Sequence, residues 1–168
     1  YEALHGYNSF GEEIDGFPFQ STDRVRSSPA VGDVDNDGEM EIVFGNSSGK
    51  LYIVSDDGAR ELAYTLLGFI EGAPALVDVD GDQDLEIIFT TTTTSGGHVY
   101  VIHHNGITMS GFPKELGSMW AGPAVHDIDN DGVVDVVCAT YDKEIYALES
   151  INGVVKSGFP VLFEGRFS

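Results

Sequence analysis

Asp33-Val34-Asp35-Asn36-Asp37-Gly38-Glu39-Met40-Glu41, Asp78-Val79-Asp80-Gly81-Asp82-Gln83-Asp84-Leu85-Glu86 and Asp127-Ile128-Asp129-Asn130-Asp131-Gly132-Val133-Val134-Asp135 are three versions of one nine-residue phrase. Each first Asp lies four residues after a proline, in Ser28-Pro29-Ala30-Val31, Ala73-Pro74-Ala75-Leu76 and Gly122-Pro123-Ala124-Val125. Each phrase runs into a short apolar stretch, Ile42-Val43-Phe44, Ile87-Ile88-Phe89 or Val136-Val137-Cys138. A turn follows, then Leu51-Tyr52-Ile53-Val54, Val99-Tyr100-Val101-Ile102 or Ile145-Tyr146-Ala147-Leu148. Runs this short, rich in β-branched and aromatic residues and bounded by Gly and Asp, read as strands.

Outward from these phrases, Gly-Phe-Pro occurs at residues 16–18, 111–113 and 158–160, marking a fourth segment in each unit, although the first complete unit has lost it. Each unit therefore offers an inner strand ending in the acidic loop, a β-branched second strand, a third strand carrying Tyr, and a fourth segment. The repeat prolines are 45 and 49 residues apart, and four strands in such a period fit one propeller blade. No stretch carries a 3.6-residue apolar period, so little helix is expected. The expected fold class is all-β: a β-propeller segment of about three four-stranded antiparallel blades plus a partial blade. The boundaries read as 1–26 for the partial blade, 27–70, 71–119 and 120–160 for the blades, and 161–168 for a tail or the start of a next unit. Three units and a fraction fall short of a closed ring of 4 to 8 blades. The remaining blades are expected from a longer parent chain or from self-association.

Composition narrows the function. The 168 residues carry 28 acidic and 8 basic side chains, a formal charge of −20, which repels phosphate backbones and argues against a nucleic-acid partner. No apolar run approaches the roughly 18 residues of a spanning helix, so no membrane insertion is expected. Gly contributes 21 residues, fitting many tight turns. The single cysteine, Cys138, sits in an apolar run and reads as a buried packing residue. The chain begins at Tyr1 without an initiator Met or a signal-peptide pattern, and reads as a processed or excised segment.

Carboxylates at alternate positions of a tight turn can wrap a hard cation that prefers six to eight oxygens. The expected ligands are Asp33, Asp35, Asp37, the Glu39 carbonyl and Glu41 in loop one. Loop two offers Asp78, Asp80, Asp82, the Asp84 carbonyl and Glu86, and loop three offers Asp127, Asp129, Asp131, the Val133 carbonyl and Asp135. The seventh position changes from Glu to Asp to Val, as a backbone ligand allows. Turns alone would explain one such loop, because Asp, Asn and Gly favour turns. Three loops in phase hold 14 of the 28 acids within 27 residues, and like charges so crowded repel without a cation. Ca²⁺ is the expected cofactor, ahead of Mg²⁺, which demands a smaller octahedral shell, and ahead of Zn²⁺. Three bound Ca²⁺ would reduce the formal charge from −20 to −14. An EF-hand would need a bidentate Glu at position twelve and flanking helices, but that position holds Phe44, Phe89 and Cys138. Gln83 replaces the Gly found at Gly38 and Gly132, so a strained bend is expected in loop two, and calcium is expected in loops one and three ahead of it.

Gly72-Ala73-Pro74, the D-x-D-x-D-G-x-x-[ED] loops and Phe44-Gly45 together resemble the FG-GAP or VCBS-type repeat of bacterial secreted proteins, which is similar to the propeller at the head of integrin α chains. The resemblance spans about Gly16 to Pro160. It implies a seven-bladed or similar propeller, an extracellular or cell-surface location, calcium on one face and ligand binding usually on the other.

The histidines, His5, His98, His103, His104 and His126, have no Ser or Cys nucleophile in a recognisable setting. Three equal acidic loops also differ from the single asymmetric site an enzyme needs. The chain is therefore expected to be non-catalytic and to serve adhesion or recognition of a protein or carbohydrate ligand. The alternatives are the propeller part of a secreted enzyme, such as a polysaccharide lyase or a protease accessory domain, and a plain structural spacer. The segments preceding the inner strands supply Arg24, Arg26, Phe69, Met119 and Trp120, expected at the rim opposite the acidic loops. They read either as a ligand surface or as packing between blades.

Overall fold

The computed structural model describes residues 2–164, so Tyr1 and the end of the expected tail, residues 165–168, lie outside the described residues. Four consecutive strands form the first blade, β3 (Ala30–Gly32), β4 (Glu41–Gly45), β5 (Lys50–Ser55) and β6 (Arg60–Thr65), in sheet order β3-β4-β5-β6. The second contains β7 (Ala75–Val77), β8 (Glu86–Thr92), β9 (Gly97–Ile102) and β10 (Lys114–Leu116), and the third β11 (Ala124–His126), β12 (Asp135–Ala139), β13 (Glu144–Glu149) and β14 (Val161–Leu162). Ahead of them, β1 (Ala3–Leu4) and β2 (Phe19–Gln20) form a two-stranded remnant. Every pairing is antiparallel between chain neighbours, and no helix occurs among the described residues. The propeller segment expected from the repeats is what the chain forms. One boundary is corrected: Val161–Leu162, placed beyond the third blade by sequence, pairs with Ile145 and Glu144 and is its fourth strand.

Whereas β12 and β13 of the third blade are only partly buried, the second and third strands of blades one and two are buried on both faces because a neighbouring sheet lies on each side. Their two-residue period consequently sorts apolar side chains between two cores rather than between core and water. From β8, Ile87 and Phe89 join Val43, Leu51 and Ile53 in the core between blades one and two, while Ile88 joins Val99, Val136 and Cys138 between blades two and three. Phe44 and Tyr52 face the remnant, where their rings stack at 5.2 Å and Phe19 approaches edge-on at 5.4 Å from Tyr52. The corresponding pair in blade two, Phe89 and Tyr100, stacks at 5.2 Å. Losing either Phe would cost about 3–5 kcal/mol in transfer free energy and cavity formation. Cys138 is a buried packing residue, its thiol pushed up to about 12 by desolvation and hence unreactive.

Gly-Phe-Pro is a blade-docking element. A Cβ on Gly16 would lie 1.7 Å from the Asp57 carbonyl oxygen, and one on Gly111 would lie 1.8 Å from that of Asn152, so only glycine permits the approach. In each case the element lies against the turn between the third and fourth strands of the following blade. Blade one lacks the motif, and there Leu62 and Tyr64 contact Gly106 of the next blade's turn. At the two ends of the chain, Gly158 and Gly11 have no such neighbour within 4 Å among the described residues.

Candidate metal centres

Each acidic loop joins a first strand to a second and is shaped by its own carboxylates. In loop one, Asp33 accepts the N–H groups of Asp37 and Gly38, both at 3.0 Å, and in loop three Asp127 accepts those of Asp131 at 3.1 Å and Gly132 at 2.9 Å. Loop two repeats this wrap, with Asp78 accepting from Gly81 at 2.7 Å and Gln83 at 3.2 Å. Fifth-position Asp37, Asp82 and Asp131 accept from the N–H of Glu39, Asp84 and Val133, at 2.8, 3.0 and 2.8 Å. Positions four and six take positive φ in every loop: Asn36 (57°) and Gly38 (95°), Gly81 (83°) and Gln83 (81°), Asn130 (59°) and Gly132 (88°). Loop two thus keeps the common fold with its glycine moved to position four, and Gln83 carries the left-handed strain expected of it.

The ninth-position acids are buried beneath their loops, with Glu41 only 2% exposed and Glu86 and Asp135 at 0%. One oxygen of each accepts the N–H of position two, Val34 at 2.8 Å, Val79 at 2.8 Å and Ile128 at 3.1 Å. Oxygens of Asp33, Asp35 and Glu41 converge within 4.8 Å of one another, as do those of Asp78, Asp80 and Asp82, and those of Asp127, Asp129 and Asp135. Such a set of hard, anionic oxygens around one point fits a hard divalent cation. The Val34 carbonyl also accepts the Leu85 N–H at 3.0 Å, linking loop one to loop two.

What faces the other oxygen differs between loops. In loop two, His103 Nδ1 lies 2.9 Å from Glu86 Oε1, and His104 pairs with Asp84 at 2.9 Å. In loop three, Lys156 Nζ lies 2.9 Å from Asp135 Oδ1 and 2.8 Å from Asp129. In loop one, no cationic side chain pairs with any of the five acids among the described residues. Glu61 stands beside that loop instead. Burial raises Glu41 above the ordinary carboxyl range against the opposing Val34 N–H, and Glu61, Asp35 and Asp37 raise it further. Glu61 is raised by desolvation and by Asp35 and Asp37. Glu86 is raised chiefly by burial, opposed by the Val79 N–H and by His103. Asp127 is lowered, first by the Gly132 N–H.

The segments before the inner strands lie at the other end of the second strands, where Val25 bridges Asn46 and Phe69 bridges Thr92. Arg24 and Arg26 are exposed, and Arg26 holds Glu71 of the next blade at 2.8 Å. Phe69 is 47% exposed and Trp120 58%, the latter 6.5 Å from the Tyr141 ring, which is 74% exposed. Met119 departs from the expected ligand surface. It is 2% exposed in the core between blades two and three, where its backbone meets the Thr92 hydroxyl, so its side chain packs instead of facing a partner.

Sequence reading missed Glu61, His103, Lys156 and Tyr141 as neighbours of these sites. A signal for Lys156 existed: two residues before Gly-Phe-Pro the other copies carry Ile14 and Met109.

Residues 78–138 match the FG-GAP-like repeat family. No curated protein sequence matches the chain. Among solved structures, the chain is similar to BamB from Moraxella catarrhalis, with 24% identity, a TM-score of 0.59, and 91% of this chain covering 41% of that one. It is also similar to BBS1N, solved in complex with ARL6DN, with 15% identity, a TM-score of 0.53, and 92% of this chain covering 47% of that one. The chain thus spans less than half the length of these two proteins.

Proposed function

We propose that this chain is a non-catalytic, calcium-stabilised propeller module of a secreted or cell-surface protein, recognising a protein or carbohydrate partner on the face opposite its acidic loops. The observation that carries the calcium reading is Glu41: a carboxylate 2% exposed, converging with Asp33 and Asp35, with no cationic side chain paired to it among the described residues. A buried, crowded anion of this kind is stable only when protonated or matched by a cation. Loops one and two are the cation sites, Asp33, Asp35 and Glu41 holding the first and Asp78, Asp80 and Asp82 the second. Bound Ca²⁺ would supply charge neutralisation and a tie between first and second strands. Affinities of about 10⁻⁴ to 10⁻³ M suit the millimolar calcium of an extracellular module.

Support for recognition comes from the opposite rim, where Trp120, Tyr141 and Phe69 expose aromatic surface of the kind enriched at interfaces. BBS1N, of similar fold, was solved bound to another protein. Gly158 and Gly11, each half of a docking pair that is complete elsewhere in the chain, fit further blades or a second copy at both ends.

Calorimetric titration with calcium tests the reading. Wild type should release or absorb heat at sub-millimolar to millimolar calcium, and E41Q should lose the loop-one component; a flat trace for wild type would reject it. Trp120 is the sole tryptophan, so its fluorescence reports partner binding at the rim directly.

A further inference from the structure

Lys156 is the residue that makes the third loop unlike the first. Its Nζ lies 2.8 Å from Asp129 Oδ2, 3.3 Å from Asp131 Oδ2, and 2.9 and 3.1 Å from the two oxygens of Asp135, with the side chain only 9% exposed. An ammonium has three donors and no acceptor, and here it meets three carboxylates. The backbone fixes this placement, because Lys156 N–H donates to the Ala147 carbonyl at 2.9 Å just after Val155 bridges Leu148. The same register position in blade two holds Met109, whose N–H donates to Val101 at 2.9 Å after the Thr108–Ile102 bridge. In blade one it holds Glu61, following the Arg60–Val54 pair. One position in the blade therefore offers an acid to loop one, an apolar side chain in blade two and a cation to loop three.

We infer that Lys156 is a tethered counter-ion that takes the place of the divalent cation in the third loop, so that loop three is closed without metal and does not bind calcium while Lys156 is present. The inference rests on the proposed reading of the loops as calcium sites. Two further features agree with it. Loop three has Val133 where loops one and two have Glu39 and Asp84, leaving four acids against five. Its buried acid is the shorter Asp135 where the others have Glu41 and Glu86, leaving room for the ammonium. An ammonium and a divalent ion cannot share three carboxylates at these distances, since like charges a few ångströms apart repel strongly.

Ion counting by equilibrium dialysis on the full chain at millimolar calcium is the test. K156M should bind one calcium more per chain than wild type, and D127A in the wild-type background should leave the count unchanged. Equal counts for K156M and wild type, or a count that falls by one in D127A, would overturn the inference. Should K156M fail to fold, D127A decides alone. Loss of an ion in E41Q without any gain in K156M sinks the Lys156 assignment and leaves the loop-one reading standing. Zero ions on every variant overturns both.

Discussion

Loops 33–41 and 127–135 share acids at positions one, three, five and nine, their positive-φ positions and the hydrogen bonds that wrap the first Asp, yet one side chain on the fourth strand or the turn before it gives them opposite electrostatic settings. Glu61 adds a carboxylate beside loop one, whereas Lys156 places an ammonium inside loop three. A local motif specifies the geometry of an anionic cradle. On the proposed reading, whether that cradle takes an ion from solution depends on a residue 20 or 21 positions further along the chain.

The difference can be broken most forcefully at the buried acids. E41A should abolish the loop-one share of the calcium-induced stabilisation, about 2.7 kcal/mol at calcium 100-fold above that site's dissociation constant. D135A should lower the starting stability but leave the calcium increment intact. Chemical denaturation of both variants with and without calcium checks this pair. A smaller effect comes from giving loop one its own cation: E61K should weaken calcium binding about tenfold or more, read by calorimetry, by making the first loop resemble the third.

Backbone strain sharpens the comparison with loop two. Q83G removes a side chain at φ 81° and should stabilise the protein by about 1 kcal/mol in urea unfolding, while G38A at φ 95° should destabilise it by a similar amount.

The smallest effect is that of pH on the metal-free protein. Glu61 has a folded value raised above its ordinary 4.5, so the folded state binds the proton more tightly than the unfolded one. Metal-free stability should therefore rise as pH falls through the raised value toward 4.5. E61Q should flatten that rise in a melting-temperature series.

Much of this molecule was legible because its repeats are in phase. The prolines, acidic loops and Tyr-bearing strands fixed three blades and put the carboxylates on hairpin turns, since each feature is local. What escaped depended on pairing between distant segments. Lys156 reaches loop three only because Val155 bridges Leu148, and His103 reaches Glu86 only because Ile102 pairs with Ile87. Met119 and Trp120 read alike as ligand surface or as packing, but alternate residues near a strand point to opposite sides, and the core between blades two and three takes Met119. Val161–Leu162 was misplaced because a two-residue strand has no pattern of its own and is defined by its pairing with β13.

On the calcium reading, an oxygen cradle without an internal cation needs one from solution. Thermal unfolding of the unmodified chain, once with millimolar calcium and once with excess chelator, tests it most directly. The melting temperature should be higher with calcium by about 2 °C or more. Identical melting temperatures in the two buffers would contradict the account.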